Sequence, residues 1–309
     1  MSSSREEFVK SIRALNLAVQ NPVTFDSHTD LDHNLCAKLF RSSLAVSVFL
    51  TLEIFIKERT SEILASIDSQ RINFSWLPEG IQRAATFGAV KAMSFRLQMM
   101  DKSLKQQFAI DESAHIASTG STAYKLSSLS FGHDKSNLNS EDIDHILSSF
   151  GIDSGWGKIK IVAGRVGFGG AGSYEEIFKN LAFRRHLSAH TTGAQVSQSD
   201  LTDSISAIYA IAISFDLIVS RCFQLIKDKD LNYLGRGSKK FSFDPGSFPI
   251  SIMEQSAGKW RFKPAGARKN TKSSQDKDAL FGEAKNICES KKTALIEFGA
   301  NGQPNRWYC

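Results

Sequence analysis

The run Arg184-Arg185-His186-Leu187-Ser188-Ala189-His190 holds the residue types that phosphodiester chemistry needs. Arginine presents a planar fork of donors that matches a phosphate, and histidine moves protons near neutral pH. Together they supply what metal-free cleavage of an RNA backbone requires: one group to hold the charged phosphate and another to transfer protons. On a helix His186 and His190 are four apart and share a face, whereas Arg185 and His190 lie about 140° apart. A fraying helix end next to Gly193 would bring all three around one anion. Two histidines at i and i+4, with His28 and His33 as further donors, also suggest a metal, but Leu187 stands where the zinc motif H-E-x-x-H has its glutamate. The expectation is therefore no metal and no cofactor. An inert alternative is a polar helix end, with an arginine paired to Glu53 and the imidazoles bonded to backbone carbonyls.

A second motif, Gly167-Phe-Gly169-Gly-Ala-Gly172, matches G-x-G-x-x-G by letter. A dinucleotide site would need a strand before it and another strand, carrying an acid, about 20 residues on. Ile159 to Val162 offers a strand before the motif, but no strand pattern follows, and no Gly-Lys-Ser/Thr marks a P-loop. The glycines read instead as a flexible loop. Cys36, Cys222, Cys288 and Cys309 show no zinc spacing and read as reduced thiols of a cytoplasmic protein.

These side chains need a scaffold, and the pattern predicts helices. Phe8, Ile12, Leu15 and Val19 line one face of a helix over 4–20, stopped by Asn21-Pro22. A longer helix begins before Leu39 and runs to about Ile67, with Glu53 alone among Phe49, Leu50, Leu52, Ile54 and Phe55. A carboxylate there requires a cationic or hydrogen-bonding partner. After Pro78-Glu79-Gly80 a second long helix is expected over about Ile81 to Phe108, then a short one over Glu141 to Phe150 closed by Gly151. Ser173-Tyr-Glu-Glu176 is a capping box that opens the helix carrying the Arg/His run. Ser199-Asp200 caps a last apolar helix through Val219. The apolar runs Leu44 to Ile56 and Ile205 to Val219 fall short of the roughly 20 residues that span a bilayer, and Glu53 and Asp216 interrupt them. Buried helices, and no membrane, are the expectation.

Charge divides the chain in two. Arg236 to Cys309 has 14 Lys and Arg against 7 Asp and Glu, a net of +7 out of +6 overall, which leaves −1 for the other 235 residues. The predicted organisation is a helical domain over 1–235 and a basic α+β appendage over 236–309. Trp260-Arg-Phe262 and Thr293 to Phe298 read as strands around a helix at 276–290. A local positive field draws polyanions, RNA above all, though a solubilising tail is the bland alternative. Lys259, Arg261, Lys263, Arg268 and Lys269, with Arg184 of the core, are the candidate RNA contacts.

The order of a long helix with a buried acid, a second long helix, an irregular insert, a helix ending in Arg-polar-x-x-x-His and an apolar closing helix resembles the HEPN superfamily. Over about residues 35–228 it is most like the RiboL-PSP-like HEPN domains. Arg185-His186-Leu-Ser-Ala-His190 fits the family motif, and Ser47 to Lys57 resembles its early helix. The resemblance implies a mainly α, HEPN-like bundle that dimerises around two facing motif helices. It implies a metal-independent endoribonuclease of toxin–antitoxin or phage-defence type, with RNA as substrate and an antitoxin or system partner. In that reading Arg185 binds the scissile phosphate, His190 is general acid or base, and His186 orients. Glu53 holds Arg185 or Arg184. Other members are non-catalytic RNA-binding or protein-interaction modules, which is the rival reading. Thr192 stands where some family toxins have a modified tyrosine, and Arg184 competes with Arg185 as the motif arginine.

Overall fold

A computed structural model describes residues 2–191, 195–299, 302 and 304–309. Two helices form its axis. Helix α2 (Leu31–Asp68) starts earlier than its apolar pattern suggests, because Asp30 caps it by accepting from the His33 amide. Helix α9 (Gln198–Lys227) packs along α2, and the first helix, α1 (Ser3–Val19), packs on both, burying Phe8, Ile12, Leu15 and Val19. The cap of α9 is Ser197, one turn before Asp200, and the two form a reciprocal capping box in place of the Ser199-Asp200 start read from the sequence.

Two expected elements differ. The single helix over Ile81 to Phe108 is divided into α3 (Glu79–Arg83), a π-turn (Ala84–Gly88), α4 (Ala89–Met99) and α5 (Lys102–Ser118). Met100 is extended, which ends α4, and the backbone of Gly88 lies so close to the Ser130 carbonyl that a Cβ there would sit 3.1 Å from it. The expected strand at Ile159 to Val162 is inside α7 (Gly155–Arg165), which follows α6 (Ser140–Ser149). Ile159, Val162, Ala163 and Val166 recur at i, i+3, i+4 and i+7 and are all buried. That helical period outweighs the short β-branched run. The glycine motif thus follows a helix, which removes the strand a dinucleotide fold requires. It is a turn, with Gly167 and Gly170 at φ of 91° and 97°.

The C-terminal portion is a five-stranded sheet in the order β3-β2-β1-β4-β5, built from β1 (Ile250–Ser256), β2 (Lys259–Lys263), β3 (Lys272–Ser274), β4 (Ala294–Phe298) and β5 (Pro304–Tyr308). Helix α10 (Lys277–Lys291) makes the crossover between β3 and β4, and β4 runs parallel to β1. Met253, Phe262 and Leu295 face α10 and form a small core with Leu280, Phe281, Ala284 and Cys288. The opposite face presents Ala294, Ile296 and Trp307 to the helices and joins their core. Trp307, 1% exposed, packs against Phe8, Phe55 and Tyr209. Residues 236–309 therefore carry one core of their own and share a second with the helices.

By length and composition α2 and α9 both reach what a membrane span needs, being longer than their apolar runs; the apolar window of α9 is 83% buried and that of α2 44%.

Candidate functional site

Helix α8 (Tyr174–His190) carries the Arg/His run, and Ser173 caps it by accepting from the Glu176 amide. It packs against α2 and α9, with the Phe178 ring 5.4 Å from that of Phe49 and tilted to it by 50°. Arg185 is seven residues beyond Phe178, about two turns. It therefore falls on the face that α8 turns towards α2, and it is half-buried. No hydrogen bond or ion pair engages its guanidinium among the described residues. Arg184, one residue away in sequence, turns to α9, where its Nη2 donates to Asp200 at 2.6 Å. The sequence left two motif arginines in competition. In the structure Arg184 is tied to the capping carboxylate of the next helix, so it is a poor candidate for RNA contact, and Arg185 is open.

His186 and His190 are exposed on the outer flank, their rings 4.7 Å apart and tilted by 50°. His190 stands in the last turn of α8. Thr191 follows as the C-cap, its amide donating to the Leu187 carbonyl. Thr192 and Gly193, singled out from the sequence, lie outside the described residues. His33 does not join this pair: its ring bonds to the Phe25 carbonyl at 2.9 Å. Among the described residues no three His, Cys, Asp or Glu side chains gather as metal ligands.

Glu53 is buried as expected, at 3% exposure, but it does not hold either arginine. Lys57, one turn along the same helix, donates to it at 2.7 Å. The geometry of the bundle explains the difference. Helix α9 starts beside Arg41 and passes Arg59 at Asp216, so it runs with α2, and α8, whose Phe178 meets Phe49 and whose Arg184 meets Asp200, runs against both. From the Phe49–Phe178 contact, Glu53 lies one turn towards one end and Arg185 two turns towards the other, a separation of roughly 16 Å along the axis.

Nor does the basic strand reach the α8 end. Lys259, Arg261 and Lys263 alternate with Trp260 and Phe262, which turn to the α10 side, so the three cations share the other face of the sheet. Arg268 and Lys269 are exposed in the turn after β2. β2 packs against β1, β3 and α10, whereas α8 packs against α2, α6, α7 and α9.

A charged cluster escaped sequence reasoning. Asp216, fully buried in α9, accepts from Arg59 Nε at 2.6 Å, from the Arg5 guanidinium and from Trp307 Nε1 at 2.6 Å. Ser220 accepts from Arg5 and Arg59, and Arg59 also reaches Glu62 at 3.0 Å. Burial alone would raise the Asp216 carboxyl, but the two guanidinium groups hold it well below the usual carboxylate range. Burial pushes the Cys309 thiol, beside this cluster, up to about 11, and that of Cys222 up to about 12, so neither is a thiolate at neutral pH. The only signal for the cluster was one acid in an apolar run.

Compared with protein-family models, curated proteins and solved structures, the chain matches none.

Proposed function

We propose that this protein is a metal-independent endoribonuclease of the HEPN type that acts as a homodimer. The observation that carries the reading is the outer end of α8, whose last two turns carry a half-buried Arg185 with open donors and, on the flank about 100–140° round the helix, two exposed imidazoles. Arg185 binds the scissile phosphate with its bidentate fork. His190 takes the proton of the 2′-hydroxyl or gives one to the leaving oxygen, and His186 steadies the reacting group from the same face. The 2′-oxygen attacks phosphorus and the 5′-oxygen departs with a proton, leaving a 2′,3′-cyclic phosphate. Among the described residues, neither Arg185 nor His190 lines any of the five best-formed cavities of one chain. A second copy would supply the opposite wall. Exposed apolar residues on the two helices support that: Phe183 on α8, and Leu39, Phe40, Leu50 and Ile54 along one stripe of α2. Lys259, Arg261 and Lys263, away from the α8 end, contact phosphates of a more distant part of the RNA.

The same open surface also favours a second reading, a non-catalytic RNA-binding or protein-interaction module. Purified protein incubated with mixed tRNA and mRNA in EDTA separates the two. Cleavage should persist, leave cyclic phosphate ends, and fall by about 10²–10⁴ in His190→Ala with RNA binding retained. Arg185→Lys should impair cleavage as well, because it keeps the charge but loses the fork. Loss of activity in EDTA with recovery on adding zinc or magnesium would instead assign His186 and His190 to a metal. RNA that binds and is never cut would leave the module.

A further inference from the structure

Between the helices and the sheet lies a cleft of about 570 Å³, inside the range of small-ligand sites. Arg5, Arg59 and Ser220 of the Asp216 cluster form its floor, and the two arginines are matched by Asp216 and Glu62 behind them. Its rim is cationic on both sides. Arg221 and Lys227 sit on α9 with Gln224 between them, at i, i+3 and i+6. Lys285 and Lys292 come from α10 and its C-cap, at i and i+7. Lys292 is paired with Asp228 at 2.5 Å, and Lys285 is only loosely held, 3.8 Å from Glu289 and 4.8 Å over the Tyr308 ring. Arg221 and Lys227 have no acidic partner among the described residues. The cleft thus keeps two uncompensated positive charges, enough for one phosphate group, with further cations beside them.

Lysines near a helix end often do no more than offset the carbonyl dipole, an effect confined to the last turn. Arg221 stands nearly two turns before the end of α9, beyond that reach. Apolar surface flanks the cations: Phe223 on α9 and Phe248 ahead of β1. Cations that hold phosphates beside walls that accept a flat ring describe the chemistry of a nucleotide. We infer that this cleft binds a nucleoside di- or triphosphate, with phosphates on Arg221, Lys227, Lys285 and Lys292 and the base against Phe223 and Phe248. The site is independent of the ribonuclease reading, because Asp200, beside the α8 motif, and Arg221 are about 30 Å apart along α9.

Calorimetry on the full chain tests this with ATP, inorganic pyrophosphate and adenosine. ATP should bind and raise the melting temperature, pyrophosphate should bind more weakly, and adenosine should not bind measurably. The pair Arg221→Ala and Lys285→Ala should weaken ATP binding by at least about tenfold, through lost charge-assisted contacts, without lowering the melting temperature of the ligand-free protein. If that pair melts early, Lys227→Glu, at an exposed position, takes its place and should weaken ATP comparably. Unchanged ATP affinity in these variants, adenosine binding as tightly as ATP, or no binding of ATP or pyrophosphate would each overturn the assignment. So would a short single-stranded RNA that displaces ATP and binds more tightly than it, since the cleft would then hold a polynucleotide.

Discussion

The start and the middle of α9 are lined by the same residue types used in opposite ways. Beside its start, Arg185, His186 and His190 stand at the surface, and Arg185 has open donors among the described residues. Farther along, Arg5 and Arg59 are buried and their donors converge on Asp216, Ser220, Glu62 and Cys309. Burial makes the difference. A guanidinium removed from water must be matched by acids and hydroxyls, and removing one partner strands a charge. At the surface water does the matching, and a free arginine costs little. An arginine that is available to a substrate is therefore one whose fork has been left open, and spacing along the chain does not reveal which one that is.

Substitutions that probe stability should separate the two regions, in descending order of effect. Asp216→Ala leaves two buried guanidinium groups without their acid and should cost about 3–5 kcal/mol in denaturant unfolding. A loss below 1 kcal/mol would mean that water reaches the cluster and the contrast is false. The acid side of the pH profile reports on the same place. Burial would raise the Glu62 carboxyl, but bonds from Ser2, Ser4 and Ser3 bring it from 4.5 down to about 2, and Asp216 is depressed too. Groups whose folded pKa is depressed contribute stability that is complete above the unfolded value and fades as pH falls towards the folded one. The melting temperature should therefore decline from about pH 4.5 towards pH 2, and Glu62→Gln should flatten that decline; a parallel curve would remove Glu62 from it.

Glu53→Gln should cost about 1–3 kcal/mol, since the Lys57 ammonium then faces a neutral amide in a buried position. Cleavage should be unaffected. A stable variant that no longer cuts RNA would return Glu53 to the site. Arg184→Ala removes a half-exposed pair with Asp200 and should cost about 0.2–1 kcal/mol. Smallest of all, Arg185→Ala and His190→Ala should change stability by no more than about 0.5 kcal/mol. A larger loss would show that these residues hold the helix end together, and the surface would lose its claim to chemistry.

Periodic features were readable in the sequence. The burial of Phe8, Ile12, Leu15 and Val19, the Ser173 cap of α8, the strand at Trp260 to Phe262 and the isolation of Glu53 all follow from local pattern and short-range hydrogen bonding. Partners were not. Glu53 was expected to reach across the bundle, yet the nearest ammonium was one turn away, and the antiparallel course of α8 put Arg185 out of range. Asp216 resembled a flaw in an apolar helix because its partners sit at positions 5, 59 and 307. The strand misread at Ile159 to Val162 shows the other limit: four β-branched or basic residues fit either period until Ala163 and Val166 extend the helical one.

Trp307 has a consequence for the timing of folding. It is 91 residues downstream of Asp216, the carboxylate it donates to. At roughly 5–20 residues per second, synthesis takes about 5–20 s to cover that interval. During that time α1, α2 and α9 can assemble around Arg5, Arg59 and Asp216, but the bay formed by Phe8, Phe55 and Tyr209 stays uncovered. The nascent chain thus passes through a bundle with a greasy, half-charged opening where β5 later docks. Such a species is what chaperones capture and what aggregates if they do not.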